Sequence, residues 1–194
     1  MNIIVAMCKN RGIGKNGKIP WSLKEDMVFF KNKTTGNGNN AVIMGRKTFE
    51  SLNKKEGLPK RDNYVISSRK LFTDKEKCFL YNDISKACLD IMESEKKYEN
   101  VWVIGGQQIY DWFLNNNLIK DVYITNILLD TECDCFFPEL PVNFTKLNSG
   151  DVLCSKHKNL MYNINVYRNK EYNKQAYNYD LLRRVKFINE NGSL

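Results

Sequence analysis

The first two thirds of the chain alternate between short apolar segments and segments with a helical period. Segments rich in Ile, Val and aromatic residues, typical of strands, lie at residues 3–7, 41–44, 64–67, 101–104, 122–128 and 160–167. Helical stretches lie between or beside the early ones, at residues 23–31, 47–52, 84–95 and 107–114. Such alternation predicts parallel strands joined by crossover helices, because a parallel connection has to pass across a face of the sheet.

The end of the chain departs from this alternation. Segments 151–155 and 160–167, separated by residues 156–159, indicate a hairpin at the sheet edge. The polar stretches 34–40 and 53–63 indicate loops. The sequence therefore predicts a single-domain α/β fold over residues 1–168, with a predominantly parallel central sheet flanked by helices and an antiparallel C-terminal hairpin. Residues 169–194 are interpreted as a C-terminal extension or linker with a weak helical period.

Composition restricts the class of protein and its compartment. A hydrophobic content of 42% and a charged content of 27% are ordinary for a soluble globule. The opening apolar run, residues 3–8, is too short for a membrane span and precedes no cleavage-type sequence. Six scattered cysteines without a CxxC pair, and a single histidine, argue against a zinc site. We therefore expect reduced thiols, a cytoplasmic location, no metal and no membrane partner.

The net charge of +8 raises the hypothesis of nucleic-acid binding. Basic residues are, however, interleaved with acids in most windows, and no block of five or six like charges occurs. A diffuse positive field would attract a small polyanionic cofactor or substrate equally well. We therefore expect no nucleic-acid partner, and retention on heparin that falls steeply with salt would argue for one.

One acid lies on what should be the apolar side of the first helix. Ser22 and Glu25 have the spacing of a capping box, which predicts a helix over residues 23–31. Counted from that start, an inward face contains Leu23, Asp26, Met27 and Phe30.

A carboxylate facing apolar surroundings needs a partner. Burying an ionised carboxylate is costly, so Asp26 is predicted to have a raised pKa and a cationic or hydrogen-bonding ligand. The alternative is a first-turn acid that interacts with the helix dipole and points into water.

Residues suited to phosphate binding follow three predicted strands. They are Gly45, Arg46, Lys47 and Thr48; Ser67, Ser68 and Arg69; and Gly105 with Gly106, which open directly into a helix. Ligands bind at the carboxyl ends of strands in open α/β sheets, and helix N-termini accept phosphate. Each turn alone is a weak signal, and neither G-x-G-x-x-G nor a P-loop is present. Together the three turns predict a ligand with several phosphates.

An ordered set of motifs resembles the dihydrofolate reductase family over residues 1–168. It comprises Gly14, Ile19-Pro20-Trp21, Asp26, Met44-Gly45-Arg46-Lys47-Thr48, Arg61, Ser67-Ser68-Arg69, Ile104-Gly105-Gly106, Tyr110, Thr125 and Phe137-Pro138. The resemblance implies reduction of 7,8-dihydrofolate to 5,6,7,8-tetrahydrofolate with NADPH. In the family, hydride transfer to C6 and protonation at N5 support one-carbon metabolism and thymidylate synthesis, and antifolates inhibit the enzyme.

The resemblance also implies roles for individual residues. Asp26 corresponds to the family's active-site acid, Trp21 to the residue that holds a water near it, and Thr125 to a hydroxyl that supports the pterin and carboxylate. Arg61 corresponds to the arginine that binds the glutamate tail of folate, as suits a planar guanidinium. The remaining implied substrate contacts are Ile4, Val5, Ala6, Met27, Phe30, Lys31, Leu52, Ile104 and Tyr110.

The cofactor contacts implied by the resemblance lie at the three turns and in a mobile loop over residues 14–19. Arg46, Lys47 and Arg69 are candidates for the 2′-phosphate of NADPH, and the family joins the equivalents of Gly105 and Gly106 by a cis peptide. The implied cofactor set is Ala6, Ile13, Gly14, Lys18, Ile19, Gly45, Arg46, Lys47, Thr48, Ser67, Ser68, Arg69, Gly105, Gly106, Gln107, Gln108 and Ile109.

Two interpretations stay open at this stage. Residues 175–185 resemble the opening of thymidylate synthase, which favours a fusion to or association with that enzyme; an ordinary extension or a partner-contact helix explains them equally well. No synthase active-site cysteine motif is present, so synthase activity by this chain is excluded. The rival enzyme class is another reductase of the same fold, such as that of riboflavin synthesis, which lacks Pro20-Trp21 combined with an early-helix acid.

Overall fold

The structure is a computed structural model that describes residues 1–52, 56–69 and 78–172. The helices are α1 (Lys24–Thr35), α2 (Arg46–Ser51), α3 (Ile84–Glu93) and α4 (Gln107–Asn115). The strands are β1 (Asn2–Cys8), β2 (Gly12–Gly14), β3 (Asn40–Gly45), β4 (Asp62–Ile66), β5 (Cys78–Tyr81), β6 (Asn100–Gly105), β7 (Asp121–Ile127), β8 (Cys135–Phe136), β9 (Phe144–Ser149), β10 (Leu153–Cys154) and β11 (Met161–Asn169).

Within these described residues, nine of the strands form one sheet and β2 pairs with β8 in a second. The order of the large sheet is β10-β11-β7-β1-β6-β3-β4-β5, with β9 also paired to β11. The six strands from β7 to β5 are parallel, whereas β11 is antiparallel to β7, β9 and β10. The predicted α/β class, the parallel centre and the antiparallel edge hairpin are confirmed.

The large sheet is covered on both faces, which explains its nearly continuous apolar strands. Successive residues of β1 enter different clusters: Ile3 packs with residues of α3 and α4, and Ile4 with residues of α1 and α2. This alternation follows from the two-residue repeat of a strand. Phe113 of α4 is fully buried on one face, and Phe49 of α2 is buried on the other.

The start of α1 differs from its prediction. The helix runs over Lys24–Thr35 with Leu23 as the N-cap residue and no side-chain capping bond, so the capping box of Ser22 and Glu25 is wrong. The inward face is wrong in part, since Met27 is 57% exposed while Leu23 is 2% exposed. Four further strands, β2, β5, β8 and β9, were not predicted. The polar segment 34–40 also contributes its first two residues to α1 and its last to β3.

The C-terminal part of the chain is only partly described. Asn169, at which the predicted extension begins, is the last residue of β11 and is buried. The helical period and the synthase resemblance beyond Tyr172 lie outside the described residues. Among the described helices, none combines the length and the apolar character that crossing a membrane requires.

Candidate active site

The three turns predicted to bind phosphate lie at one edge of the sheet, because the strands that they follow, β6, β3 and β4, are neighbours. Met44 is in register with Gly105, and Gly45 is in register with Ile66 at the end of β4. The strands are parallel, so their carboxyl ends meet there. The structure thus brings together the segments that the sequence predicted to share one ligand.

Residues of α4 leave little room for a side chain at two of the three glycines on this edge, Gly105 and Gly45. A Cβ on Gly105 would lie 2.9 Å from the ring of Tyr110, and this glycine has a φ of +106°. A Cβ on Gly45 would lie 3.2 Å from Cγ1 of Ile109, and one on Gly106 would lie 3.5 Å from Oγ1 of Thr48. The peptide between Gly105 and Gly106 is cis, as the family resemblance implied.

The first turn of α4 opens onto this edge. Gly106 is its N-cap residue and provides no side-chain cap, so the free N–H groups at the start of the helix are available to an anion. Gln107 and Gln108 are exposed there, and Gln107 Oε1 accepts a hydrogen bond from the amide of Phe136 at 3.0 Å. Ile109 is buried beneath the turn.

The three candidate cations for a phosphate differ in their surroundings. Arg46 pairs with Glu50 one helical turn away, through bonds of 2.8 and 2.7 Å to the two carboxylate oxygens. Lys47 is exposed, and so is Arg69, whose backbone amide donates to Ser67 Oγ at 3.1 Å. Ion pairs to Lys47 and Arg69 are absent within the part of the chain that the structure describes. These two cations are therefore more accessible to an anion than Arg46.

Asp26 lies in the first turn of α1. Its neighbours include the hydroxyl of Thr125, and its charge also affects Tyr110 and Tyr162. Burial raises the pKa of Asp26, and the nearby hydroxyl of Thr125 opposes that rise. The negative charge of Asp26 in turn contributes to the raised pKa values of Tyr110 and Tyr162, after the larger effect of their own burial. Asp26 is thus a half-buried carboxylate with a raised pKa, as the sequence predicted.

Thr125 supplies an unpaired polar atom beside this acid. It is 1% exposed, in register with Ala6 on the neighbouring strand β1. Its Oγ1 is buried and has no hydrogen-bond partner among the described residues, so its approach to Asp26 is a close contact rather than a formed hydrogen bond. A buried hydroxyl without a partner is costly, and a ligand atom at this place would satisfy it.

Trp21 and Ala6 supply apolar side chains beside the start of α1. Both pack against the cluster of Leu23, Ile127 and Tyr162. Trp21 also lines a groove of about 540 Å³ between the segment 15–22 and Lys158.

Tyr110 supports the site from the opposite face of the sheet. It is 3% exposed, and its hydroxyl donates to the carbonyl oxygen of Ile4 at 3.1 Å. Burial raises its pKa strongly, so it remains a neutral donor. Val5 packs in the same cluster as Tyr110, on this opposite face of the sheet. The structure therefore does not bring its side chain to the face that carries Asp26.

The remaining residues that the family resemblance implies for substrate binding lie on α1 or on elements that pack near it. Phe30 and Leu52 pack against the cluster that contains the buried Ile4 and Ile104. Lys31 and Met27 are exposed on α1. Apolar side chains therefore lie beyond the acid, where α1 packs on the sheet.

Arg61 lies near the far end of α1 and is almost completely buried, at 3% exposure. Its Nε donates to the carbonyl oxygen of Pro59 at 3.1 Å, and its Nη1 donates to the hydroxyl of Thr34. Burial lowers its pKa, and no carboxylate lies within ion-pair distance among the described residues. A buried guanidinium with only neutral acceptors is an incomplete pair, which an anionic group would complete.

The loop over residues 14–19 is tied to a segment that sequence reasoning missed. The amide of Asp134 donates to the carbonyl oxygen of Gly14 at 3.0 Å, and Asp134 Oδ2 accepts from the amide of Asn16 at 2.7 Å. Ile13 lies in β2 beside this anchor, whereas Lys18 and Ile19 are exposed at the end of the loop. No local pattern marks Asp134, because the contact joins residues far apart in sequence.

We expect Asp134→Ala to loosen this loop. The change removes the acceptor for the Asn16 amide, whose hydrogen bond is the largest cause of the lowered pKa of Asp134. The family resemblance implies that this loop closes over the cofactor, and such a loop contributes by excluding water and completing the site; on that basis we expect turnover to fall about tenfold. Asp130→Ala, which removes an exposed acid of the same segment, is the control. Equal turnover of the two variants would contradict the expectation.

Comparisons with known proteins identify the family of this chain. The sequence model of a family described as dihydrofolate reductase matches residues 1–169. The chain belongs to the dihydrofolate reductase family. Membership identifies it as an oxidoreductase and confirms the predicted fold class and enzyme class.

Relatives in animals match over most of their own length. The dihydrofolate reductase of Drosophila melanogaster is 34% identical over 151 residues, covering 75% of this chain and 83% of the fly protein. That of Mus musculus is 33% identical over 183 residues, covering 88% of this chain and 98% of the mouse protein. A bifunctional dihydrofolate reductase-thymidylate synthase of Paramecium tetraurelia is 39% identical over 135 residues, covering 70% of this chain and 27% of that protein.

Proposed function

We propose that this family member reduces 7,8-dihydrofolate to 5,6,7,8-tetrahydrofolate with NADPH. The observation that carries the proposal is the pair of Asp26, with its raised pKa, and Thr125, with its unpaired buried hydroxyl. A pterin ring has adjacent amino and ring nitrogen donors that would engage a carboxylate and leave an oxygen for the hydroxyl. The product would supply one-carbon metabolism and thymidylate synthesis.

The turn residues fit a dinucleotide with phosphate groups. Gly106 has no side chain to hinder a phosphate, and the uncapped first turn of α4 offers N–H donors to it. When bound, NADPH supplies the hydride for C6 of the pterin. Thr48, Ser67 and Ser68 supply hydroxyls near the phosphates, and Lys47 and Arg69 supply positive charge.

The chain's own contribution is to hold the substrate and a proton. Asp26 accepts hydrogen bonds from the pterin and stabilises its protonated form, which assists delivery of a proton to N5. The apolar residues Trp21, Phe30 and Ile4 exclude water and orient the ring, and this strengthens the interaction with the carboxylate. Arg61, which contacts Thr34 in the last turn of α1, would bind a carboxylate of the glutamate tail.

The test is an assay of NADPH oxidation at 340 nm with and without dihydrofolate. We expect absorbance loss only when both are present, and its suppression by an antifolate. Tetrahydrofolate should be identified as the product by chromatography. Oxidation of NADPH that does not depend on dihydrofolate would overturn the proposal.

We expect Arg69→Ala to weaken the preference for NADPH over NADH. Arg69 is exposed three residues after the end of β4, and we propose that the 2′-phosphate of the cofactor is its partner. Loss of one charge-assisted contact of this kind should cost about tenfold in kcat/KM with NADPH and leave NADH almost unaffected. Arg46→Ala should have the smaller effect because Arg46 is already paired with Glu50. Parallel losses with both cofactors would contradict this role.

We also propose that residues 1–168 form the reductase unit and that residues 169–194 are an extension or linker. The family match to residue 169 supports the division. Similarity to the bifunctional Paramecium protein, together with the sequence resemblance in residues 175–185, supports a fusion to or an association with thymidylate synthase.

A further inference from the structure

The carboxylate of Glu25 makes contacts far from its own helix. Both of its oxygens accept from Ser155 Oγ, at 3.3 and 3.2 Å, and Oε1 also accepts from the amide of Lys156 at 3.0 Å. Ser155 is buried and begins the connection between β10 and β11. Hydrogen bonds to its own amide and to that of Lys156 lower the pKa of Glu25, so it is ionised at neutral pH.

Few other contacts fix the start of α1. Of its twelve residues only Thr34, in the last turn, is buried. The first turn is held by the N-cap residue Leu23, which packs against Ile127 and Tyr162, and by Glu25. Phe29 and Phe30 pack against a core cluster further along α1, so the position of the first turn itself depends on Leu23 and Glu25.

We propose that Glu25 is a positioning residue for Asp26: it ties the first turn of α1 to the β10–β11 connection. Asp26 follows Glu25 directly in a rigid helical turn, so a displacement of this turn moves its carboxylate relative to Thr125. The same connection carries Lys158, which faces Trp21 and Ser22 across the groove. The contact of Glu25 with this connection therefore fixes the position of Asp26 and of the groove wall that contains Trp21.

The proposal rests on the proposed function for its kinetic consequence. A shift of about 1 Å in a catalytic group can lower the rate by up to about 10²-fold, and we expect a loss of about tenfold in kcat for Glu25→Ala. KM should change less, because the contact does not involve the substrate. Glu25→Gln should restore most of the rate, since its side-chain carbonyl still accepts from Ser155 and Lys156.

The kinetic experiment compares Glu25→Ala, Glu25→Gln, Ser155→Ala and the double alanine variant. If both residues act through one contact, the double variant should be no slower than the slower single variant. Glu93→Ala is the matched control, because it removes an exposed carboxylate from the end of α3. Unchanged kcat in Glu25→Ala, equal loss in Glu25→Gln, or additive losses in the double variant would each overturn the proposal.

A second measurement does not depend on activity. The amide of Met27 donates to the carbonyl oxygen of Leu23 at 3.2 Å in the first turn of α1. Hydrogen exchange of this amide, measured without substrate, should be at least about tenfold faster in Glu25→Ala and unchanged in Glu93→Ala. If the wild type lacks dihydrofolate reduction, the proposed function fails while this exchange still decides whether the tie exists. Unchanged exchange in an active Glu25→Ala variant would overturn the tie alone.

Discussion

Asp26→Asn should lower turnover of dihydrofolate at pH 7 by about 10²-fold or more while NADPH affinity stays within about twofold. Asparagine keeps the size of the side chain but has neither a negative charge nor a titratable proton, so the protonated pterin loses its partner. NADPH affinity is insensitive because the predicted cofactor turns lie at the ends of β3, β4 and β6. Single-turnover hydride transfer and fluorescence titration with NADPH measure the two quantities.

The pH dependence gives a further check on the same variant. Burial raises the pKa of Asp26, so its protonated form persists to a higher pH than that of an ordinary aspartic acid. The reactive complex needs one proton, which Asp26 brings when protonated and which the pterin then holds beside the carboxylate. Wild-type kcat/KM should therefore decline as pH rises above that raised pKa, and the profile of Asp26→Asn should lack this step. Asp130→Asn, an isosteric change at an exposed acid, should retain the wild-type profile. Full turnover of Asp26→Asn across pH 5 to 8 would remove Asp26 from the mechanism.

The raised pKa also affects stability, with a definite sign. Between the unfolded pKa of about 3.9 and the higher folded pKa, the folded protein binds more protons at Asp26 than the unfolded chain. The free energy of unfolding therefore falls as pH rises through this window. Asp26→Asn cannot ionise, so it does not lose this part of the free energy of unfolding as pH rises. Its melting temperature should therefore exceed that of the wild type at pH 7, and the difference should shrink toward pH 4.

The sequence predicted five of the six parallel strands correctly because each is a compact apolar run covered on both faces. The sixth, β5, was missed because it lies at the sheet edge and none of its four residues is fully buried. β9 was missed, since Thr145, Lys146 and Asn148 are polar and the strand is held at the sheet edge by pairing with β11. β2 and β8 are too short to have a pattern of their own. Their pairing with each other depends on the tertiary fold.

Local helix signals were less reliable than the strand pattern. The spacing of Ser22 and Glu25 satisfies a capping rule, yet the carboxylate bonds to Ser155 and Lys156, and no local pattern predicts so distant a partner. The pairing of Arg46 with Glu50 was, by contrast, readable from their separation of four residues on a helix. That spacing ranks Arg46 below Arg69 as a phosphate ligand.

Arg61→Leu should raise KM for dihydrofolate by about 10²-fold with a small change in kcat, because a contact to the glutamate tail contributes equally to the ground and transition states. The guanidinium is buried and has only the neutral acceptors Pro59 O and Thr34 Oγ1 within the described chain. A carboxylate that pairs with it gains charge-assisted bonds of the kind whose truncation costs about 2–5 kcal/mol. Arg61→Lys should recover only part of the affinity, since an ammonium cannot form the bidentate geometry.

The control for Arg61 is a change in the substrate instead of the protein. A dihydropterin without the benzoylglutamate tail cannot reach Arg61, so the wild type and Arg61→Leu should reduce it with the same kcat/KM. This comparison separates loss of the tail contact from a general disturbance of the fold around Thr34. An equal loss with both substrates would show that Arg61 acts through the position of α1, whose last turn it holds through Thr34, and not through the glutamate tail.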